Sequence, residues 1–391
     1  MPNPGSRPAL PASSALPDPP ALRVALLEPF WGGSHRASAE GWLRWSRHRV
    51  EVHSLPARAW KWRMRGAALA LARRLGPDAR GADVLFATDL MDLAHLRALV
   101  RRRVPAMLYF HENQASYPLR PGEAPAERDL QYALTNLASA LAADRIAFNS
   151  AFQRDRFFPE LERVLRSMPS PKLLWTLDEL RRKTSVLPLG VELADIPPRE
   201  GTVAGGPPLV LWNHRWEHDK APEEFFDAIR TLSHRRIPFR LAVAGERYGT
   251  APEVFARARE EFRACTVHWG FAPAREEYVR LLSRAQVVVS TARQENFGVS
   301  MVEAAYAGAH PLAPRRLAYP EVFPGALHDA CLYDDLPDLV GRLEALLSGT
   351  VLPLSPDTLR AHFGVHSWHK RAPAFDRIVS QVSEQSEVWY K

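Results

Sequence analysis

The chain has 391 residues, enough for two ordinary domains, and its 46% apolar and 24% charged residues are a normal globular balance. No apolar run approaches membrane-spanning length, and two cysteines, Cys265 and Cys331, supply neither a disulfide framework nor a metal cluster, which suits a reducing cytoplasm. The net charge of +7, with Arg far outnumbering Lys, fits a GC-rich coding bias, a polyanionic partner such as RNA, or an anionic membrane surface.

Residues 1–20 are rich in Pro, Ala and Ser without a basic start or an apolar stretch, so a disordered leader is expected and not a signal peptide. Leu22 to Leu27 reads as a buried strand, followed by Glu28-Pro-Phe-Trp-Gly-Gly-Ser-His35 and an amphipathic helix around Trp42 and Trp45. Gly32 and Gly33 let the backbone approach a ligand as closely as a phosphate-cradling loop requires. The pair is not a GxGxxG fingerprint, which argues against a dinucleotide-binding dehydrogenase. Ser34 and His35 come next, and His35 reads equally well as an ordinary residue at a helix start.

Val50 to Leu55 is a second strand. The basic segment after it interleaves aromatics, with Trp60, Lys61, Trp62, Arg63 and Arg65 in six positions. Such a pattern stacks bases and pairs phosphates, or else forms an amphipathic helix whose tryptophans face inward. Asp83 to Ala87 is a third strand, and Arg101, Arg102 and Arg103 are expected to end the helix that follows it. Pro105 to Phe110 is a fourth strand that delivers His111, Glu112, Asn113 and Gln114 to its carboxyl end, where open α/β sheets bind ligands. Glu127 to Tyr132, with Asn136, starts a helix, and Arg145 to Asn149 is a fifth strand with a polar tip. This first domain spans residues 21–190, and the Pro- and Gly-rich stretch 191–208 reads as a linker.

Leu209 to Trp212 opens a second βα series over residues 209–355, with Arg215 and Lys220 just after its first strand and Glu246 after the next. Val287 to Thr291 is a short β-branched strand, and Val299 to Ala307 is helix-forming and closed by Gly308. Between them Gln294 to Gly298 lies over the carboxyl edge of the sheet. Its free amides and the positive end of the helix make an anion site. Glu295 and Glu303 flank that junction, and carboxylates beside an anion site make sense as acceptors from sugar hydroxyls. A nucleotide-sugar is the implied ligand.

The segment Glu295 to Glu303 resembles the Glu-x7-Glu signature of retaining glycosyltransferases with the GT-B fold. That fold is α/β: two Rossmann-like parallel-sheet domains face a cleft, and terminal helices, here 356–391, cross back to the first domain. The resemblance implies that Glu295, Asn296, Phe297 and Gly298 hold the hexose and Glu303 the ribose. It also implies that Arg215 and Lys220 hold the diphosphate, that Gly32 and Gly33 touch the sugar-phosphate, and that Glu246 lies near the base. His111 matches the histidine that related enzymes place beside the hexose. With no Asp-x-Asp motif in the chain, no metal is expected.

The phrases Glu28 to His35, Leu55 to Arg65, Tyr109 to Gln114, Glu127 to Tyr132 and Phe148 to Ser150 are similar to a narrower family, the tRNA-queuosine α-mannosyltransferases. That likeness implies GDP-mannose as donor and the cyclopentenediol of queuosine in a tRNA anticodon as acceptor. Ser34, His35, the segment Trp60 to Arg65, Glu112, Asn113, Gln114 and Asn149 would then meet the acceptor. A lipid or glycan transferase acting at a membrane face is the competing expectation, and a non-catalytic RNA-binding protein would leave Arg215, Lys220, Glu295 and Glu303 without a task.

Overall fold

The computed structural model describes residues 20–118, 130–199, 206–247 and 252–388. The leader up to residue 19, Glu127 to Asp129, residues 200–205, and Trp389 and Tyr390 lie outside the described residues.

Continuous runs of Val, Leu, Ala and Phe produce strands buried on both faces, which only a parallel sheet with helices on either side accommodates. Six strands form the first sheet: β1 (Arg23–Trp31), β2 (Arg49–Pro56), β3 (Val84–Thr88), β4 (Ala106–Phe110), β5 (Arg145–Phe148) and β6 (Thr184–Val186), in the order β2-β1-β3-β4-β5-β6. Six more form the second: β7 (Leu209–Asn213), β8 (Arg240–Ala244), β9 (Thr266–Gly270), β10 (Val287–Val289), β11 (His310–Pro314) and β12 (Leu332–Tyr333), in the order β12-β11-β10-β7-β8-β9. Every pairing is parallel. This is the α/β, two-sheet architecture expected from the sequence.

The order of each sheet fixes where a ligand can enter. The chain leaves β1 toward β2 and then returns to β3 on the other side of β1. In the second sheet it runs β7, β8, β9 and returns to β10 on the other side of β7. Loops diverge at these two reversals and open a crevice beyond the strand ends.

Three local expectations need correction. The helix after β3 spans Leu93–Leu99 and is capped at Val100, so Arg101 to Arg103 lie past its end and not in its last turn. The Gly32-Gly33 pair does not form a loop, because β1 runs to Trp31 and the next helix, Gly33–Trp45, begins at once. The stretch after Gly190 is not a loose linker in its first half: Val191 bridges to Ser367, and Leu193 and Ile196 are buried. Apolar side chains at these spacings anchor a segment that has no periodicity of its own.

The last helix, Trp368–Val388, crosses back onto the first sheet. Phe375 packs against Trp42, Phe86 and Tyr109. Beside it the buried Asp376 carboxylate accepts from Trp42 Nε1 (2.9 Å), Ser46 Oγ (2.6 Å) and the Arg47 amide (2.9 Å). Three donors converging on one buried carboxylate are left unpaired if it is removed. Asp376→Ala is expected to destabilise the protein by about 3 kcal/mol, read as a lower urea midpoint, with Asp376→Asn recovering part of the loss.

Candidate active site

The first reversal gathers ionisable groups. Glu28 near the end of β1, Asp89 just after β3 and His111 just after β4 come from three adjacent strands, and His35 enters from the first turn of the helix Gly33–Trp45. His35 Nδ1 lies 3.2 Å from Glu28 Oε2 and 3.3 Å from Oε1, and Glu28 Oε1 also accepts from the Phe30 amide (2.8 Å). Burial opposes charge on His35, but the Glu28 charge and hydrogen bond, with Asp89 and Glu112 nearby, raise its pKa to about 9. An imidazolium at a helix N-terminus is unfavourable on its own, so the carboxylate is what makes it possible here.

The His111 ring packs against that of His35, with centres 4.3 Å apart and planes tilted by 43°. Burial, and then the His35 charge, hold its pKa well below the ordinary value, so His111 is neutral and able both to donate and to accept. Its backbone is fixed on three sides. The amide donates to Asp89 Oδ1 (2.9 Å), and the carbonyl accepts from Asn149 Nδ2 (3.1 Å) and, across the cleft, from Asn296 Nδ2 (3.1 Å). Burial raises the Asp89 pKa to about 8 even though the His35 charge opposes it, and Asp89 Oδ2 is buried without a hydrogen-bond partner among the described residues. Glu28, His35 and His111 present atoms within 4.8 Å of one another, a spacing suited to a cation, although Glu28 and His35 already neutralise each other.

The second reversal holds Lys220. Its ammonium donates to the Gln294 carbonyl (2.6 Å) and Glu295 Oε2 (3.3 Å), with Asp219 Oδ2 at 3.2 Å. Burial alone would lower the Lys220 pKa; Glu295 and Asp219 raise it, so the cation persists. Arg215 is half-buried, 3.3 Å from Glu217 and 3.9 Å from Asp219. Burial works against its charge, and Tyr117, Glu217, Asp219 and Glu112 more than offset that. Because Tyr117 and Glu112 belong to the first domain, Arg215 reaches across the cleft. His214, behind these cations, is pushed down to about 4 by burial and by Lys220.

The helix Val299–Tyr306 starts at Gly298, whose φ of +96° is costly for any side chain, and whose missing Cβ would sit 2.9 Å from the Tyr319 ring. Among the described residues no side chain caps this helix, so its first amides remain for a ligand. The loop before it is less open than expected. Glu295 Oε1 accepts from the amides of Asn296 (3.2 Å) and Phe297 (3.4 Å), and Gln294 donates to the Asp219 carbonyl. Glu303 is held as well: Oε1 takes Arg275 Nη1 (2.6 Å) and Oε2 takes the Tyr278 hydroxyl (3.2 Å).

Other expected contacts resolve differently. Phe297 is buried and packs edge-on against His366, so its ring belongs to the core and not to a sugar pocket. Asn113 and Asn149, expected at the acceptor, are buried and fasten the chain to itself, Asn113 through the Ser116 amide (2.8 Å) and Asn149 through His111. Gln114 Nε2 donates to Glu112 Oε1 (3.1 Å), and these two remain half-exposed. Gly33 and Ser34 are exposed in the first helical turn, whereas Gly32 is half-buried, with its missing Cβ only 2.4 Å from Ala57 Cβ. Glu246 follows β8, half-buried, and its carbonyl accepts from the Trp216 amide (3.0 Å). Trp60, Lys61, Trp62, Arg63 and Arg65 occupy the first turns of the helix Trp60–Leu75, outside these two clusters.

Sequence reasoning missed Asp89, Arg275, Tyr278 and Asp219. Arg275 stands at the start of the helix Arg275–Arg284, and only the packing of that helix beside Val299–Tyr306 brings it to Glu303. It also pairs with Asp195 (2.7 Å) and so ties Glu303 to the interdomain segment.

Two facing parallel sheets with a cation-lined crevice invite comparison with known proteins. The fold is shared with an N-terminal domain named as trehalose-6-phosphate phosphatase from Candida albicans (13% identical, TM-score 0.66, covering 93% of this chain and 97% of that one). It is also shared with a glycosyltransferase from Rickettsia africae (12%, 0.65, 93% and 98%). Residues 197–328 match the family described as glycosyl transferases group 1. The protein is a glycosyltransferase of the GT-B fold.

Residues 23–191 match the family described as tRNA-queuosine alpha-mannosyltransferase N-terminal. A Drosophila melanogaster protein named tRNA-queuosine alpha-mannosyltransferase is 36% identical over 313 residues, covering 77% of this chain and 81% of that one. This chain belongs to the tRNA-queuosine alpha-mannosyltransferase family.

The raised His35 pKa has a consequence for stability. The folded state holds its proton more tightly than the unfolded chain, so the ion pair contributes fully below pH 6.5, and the contribution disappears as pH rises through about 9. Unfolding free energies of wild type and His35→Gln are expected to converge by on the order of 3 kcal/mol across that window.

Proposed function

We propose that this enzyme transfers mannose from GDP-mannose to a cyclopentenediol hydroxyl of queuosine in a tRNA anticodon, with retention of configuration and without a metal ion. The observation that carries the reading is the pairing of two sites across one cleft: buried Lys220 with Arg215 on one side and neutral His111 on the other, joined by the Asn296 to His111 hydrogen bond. The name of the Drosophila relative supports the acceptor and the sugar.

In this reading the diphosphate lies against Arg215, Lys220 and the uncapped start of the helix Val299–Tyr306. Two side-chain cations and a row of amides meet the charge that develops on the leaving group, which is the task a metal performs elsewhere. Glu295 accepts from hexose hydroxyls, and Glu303, oriented by Arg275 and Tyr278, accepts from the ribose. Neutral His111 exchanges hydrogen bonds with the hexose, and Asp89 holds its amide from behind. The acceptor hydroxyl approaches from the first domain on the face that the nucleotide leaves. Its oxygen forms a bond to the anomeric carbon as the bond to the phosphate oxygen breaks, through an oxocarbenium-like transition state. The hydroxyl proton passes to that phosphate oxygen, so GDP departs and no protein base is needed.

Purified protein incubated with GDP-mannose, a chelator and tRNA carrying or lacking queuosine is expected to add a hexose mass to the queuosine nucleoside alone. His111→Ala is expected to lower kcat by on the order of 10²-fold. A product formed only after adding a divalent metal would remove the metal-free mechanism. A product only with another nucleotide-sugar would move the donor. Absence of any RNA product, with transfer to a lipid or glycan, would replace this reading with the membrane-face transferase.

A further inference from the structure

We infer that Trp62, Lys61 and Arg65, braced by Trp60 and Tyr132, form a platform that stacks an unpaired RNA base beside the reacting nucleoside and holds the adjoining phosphates. The inference rests on the tRNA reading above and deepens it by naming the surface that meets the RNA.

The helix Trp60–Leu75 turns Met64, Ala67, Ala68 and Leu71 inward, and successive residues of a helix point about 100° apart. Trp60 and Trp62 therefore cannot share a face. Trp60 leans against Tyr132, ring centres 5.2 Å apart, whereas Trp62 is 77% exposed. A tryptophan face left to water beside cations is the arrangement that stacks a nucleobase. Lys61 Nζ lies 5.8 Å from the Trp60 ring and 6.0 Å from that of Tyr132, with the Arg65 guanidinium 5.5 Å from Tyr132. Ring faces orient these cations without using their donors, and among the described residues neither forms an ion pair. Arg63, by contrast, is folded back onto the Pro56 carbonyl (3.0 Å). From Glu51 to Asp78 the chain carries no carboxylate between them, only Arg, Lys and His as charged types, so the field here favours a polyanion.

The platform is tied to the site. Pro56 pairs with Trp31 at the end of β1, past a shift in the ladder after Glu28, and Ala57 packs against Gly32. Tyr132 stands one helical turn before Asn136, whose side chain takes the Gln114 amide (2.8 Å) and donates to the Asp89 carbonyl (3.1 Å). Asp89 in turn holds the His111 amide. Trp62 and His111 thus belong to one rigid body, and a base stacked on Trp62 sits at a fixed offset from the sugar being transferred. Leu69, 56% exposed and seven residues beyond Trp62 on the same side, gives the surface a second apolar point, so the test includes a membrane arm.

The experiment is equilibrium binding of a labelled anticodon stem-loop RNA to the full chain without nucleotide-sugar. Trp62→Ala is expected to weaken binding about 5- to 100-fold, and Trp62→Phe to keep most of the affinity. Lys61→Ala and Arg65→Ala each lower the slope of log affinity against log salt by about 0.7. An unchanged melting temperature of Trp62→Ala checks the fold. Unchanged RNA affinity in Trp62→Ala overturns the inference. So does loss of binding to phosphatidylserine vesicles while RNA affinity stays, which assigns the surface to a membrane. Weakened RNA binding in an enzyme that never glycosylates queuosine keeps the platform and discards the acceptor. Queuosine glycosylation by Trp62→Ala at wild-type RNA affinity keeps the acceptor and discards the platform.

Discussion

A buried ammonium holds the nucleotide side of this cleft together. Lys220 is taken out of water almost completely, a state that is tolerable only with strong partners, and it has the Asp219 and Glu295 carboxylates and the Gln294 carbonyl. The same knot draws two loops into one piece: the Arg293 and Gln294 amides donate to the Asp219 carbonyl, and Thr291 Oγ1 donates to the carbonyls of Lys220 and Ala221. The loops after β7 and β10, which diverge because the strand order reverses there, are thereby fixed as one wall. Two carboxylates and one ammonium leave this wall short of positive charge by itself, so Arg215 and the uncapped helix start complete the anion site.

The facing wall is organised by hydrogen bonds to backbone more than by ion pairs. Asp89, Asn136 and Asn149 all act on peptide groups around His111, and the Glu28–His35 ion pair sits beside the His111 ring. Contacts across the cleft are of both kinds, to backbone and to side chains. Asn296 reaches the His111 carbonyl, Arg156 reaches Gln294 (3.3 Å), and the Glu321 carboxylate takes the first two amides of the helix Ala151–Ser167 (2.8 and 3.0 Å). That carboxylate at a helix N-terminus is favoured by the helix dipole and ties the two domains together at the rim.

Much of this was legible in the sequence because parallel strands are continuous apolar runs whose ends display polar residues. His111 follows its strand directly, and Arg215, Lys220 and Glu295 lie in the loops that leave β7 and β10, so a reader who finds the strands finds the loops that carry them. Asp89 follows β3 in the same way, but its neighbours Leu90 and Met91 are apolar and buried, so nothing marks the loop as polar. Arg275 and Tyr278 meet Glu303 only because a helix from a different βα unit packs beside it, a relation that spacing along the chain does not carry. Asn113, Asn149 and Phe297 show the opposite error: residues at the right strand ends turn their side chains into the protein. The division between Trp60 and Trp62 was open in the sequence because either tryptophan can face the core. The phase of the helix, set by Met64 and the alanines that follow it, decides.

If the Lys220 charge is the anchor of the donor diphosphate, and not only a structural knot, its removal must be felt by the nucleotide. Calorimetric titration of GDP into wild type and Lys220→Met, in chelator and with the melting transition confirming the fold, measures this directly. Affinity in the variant is expected to be lower by on the order of 10²-fold, as for loss of a charge-assisted contact in a water-poor site. Equal affinity in the two proteins would contradict it.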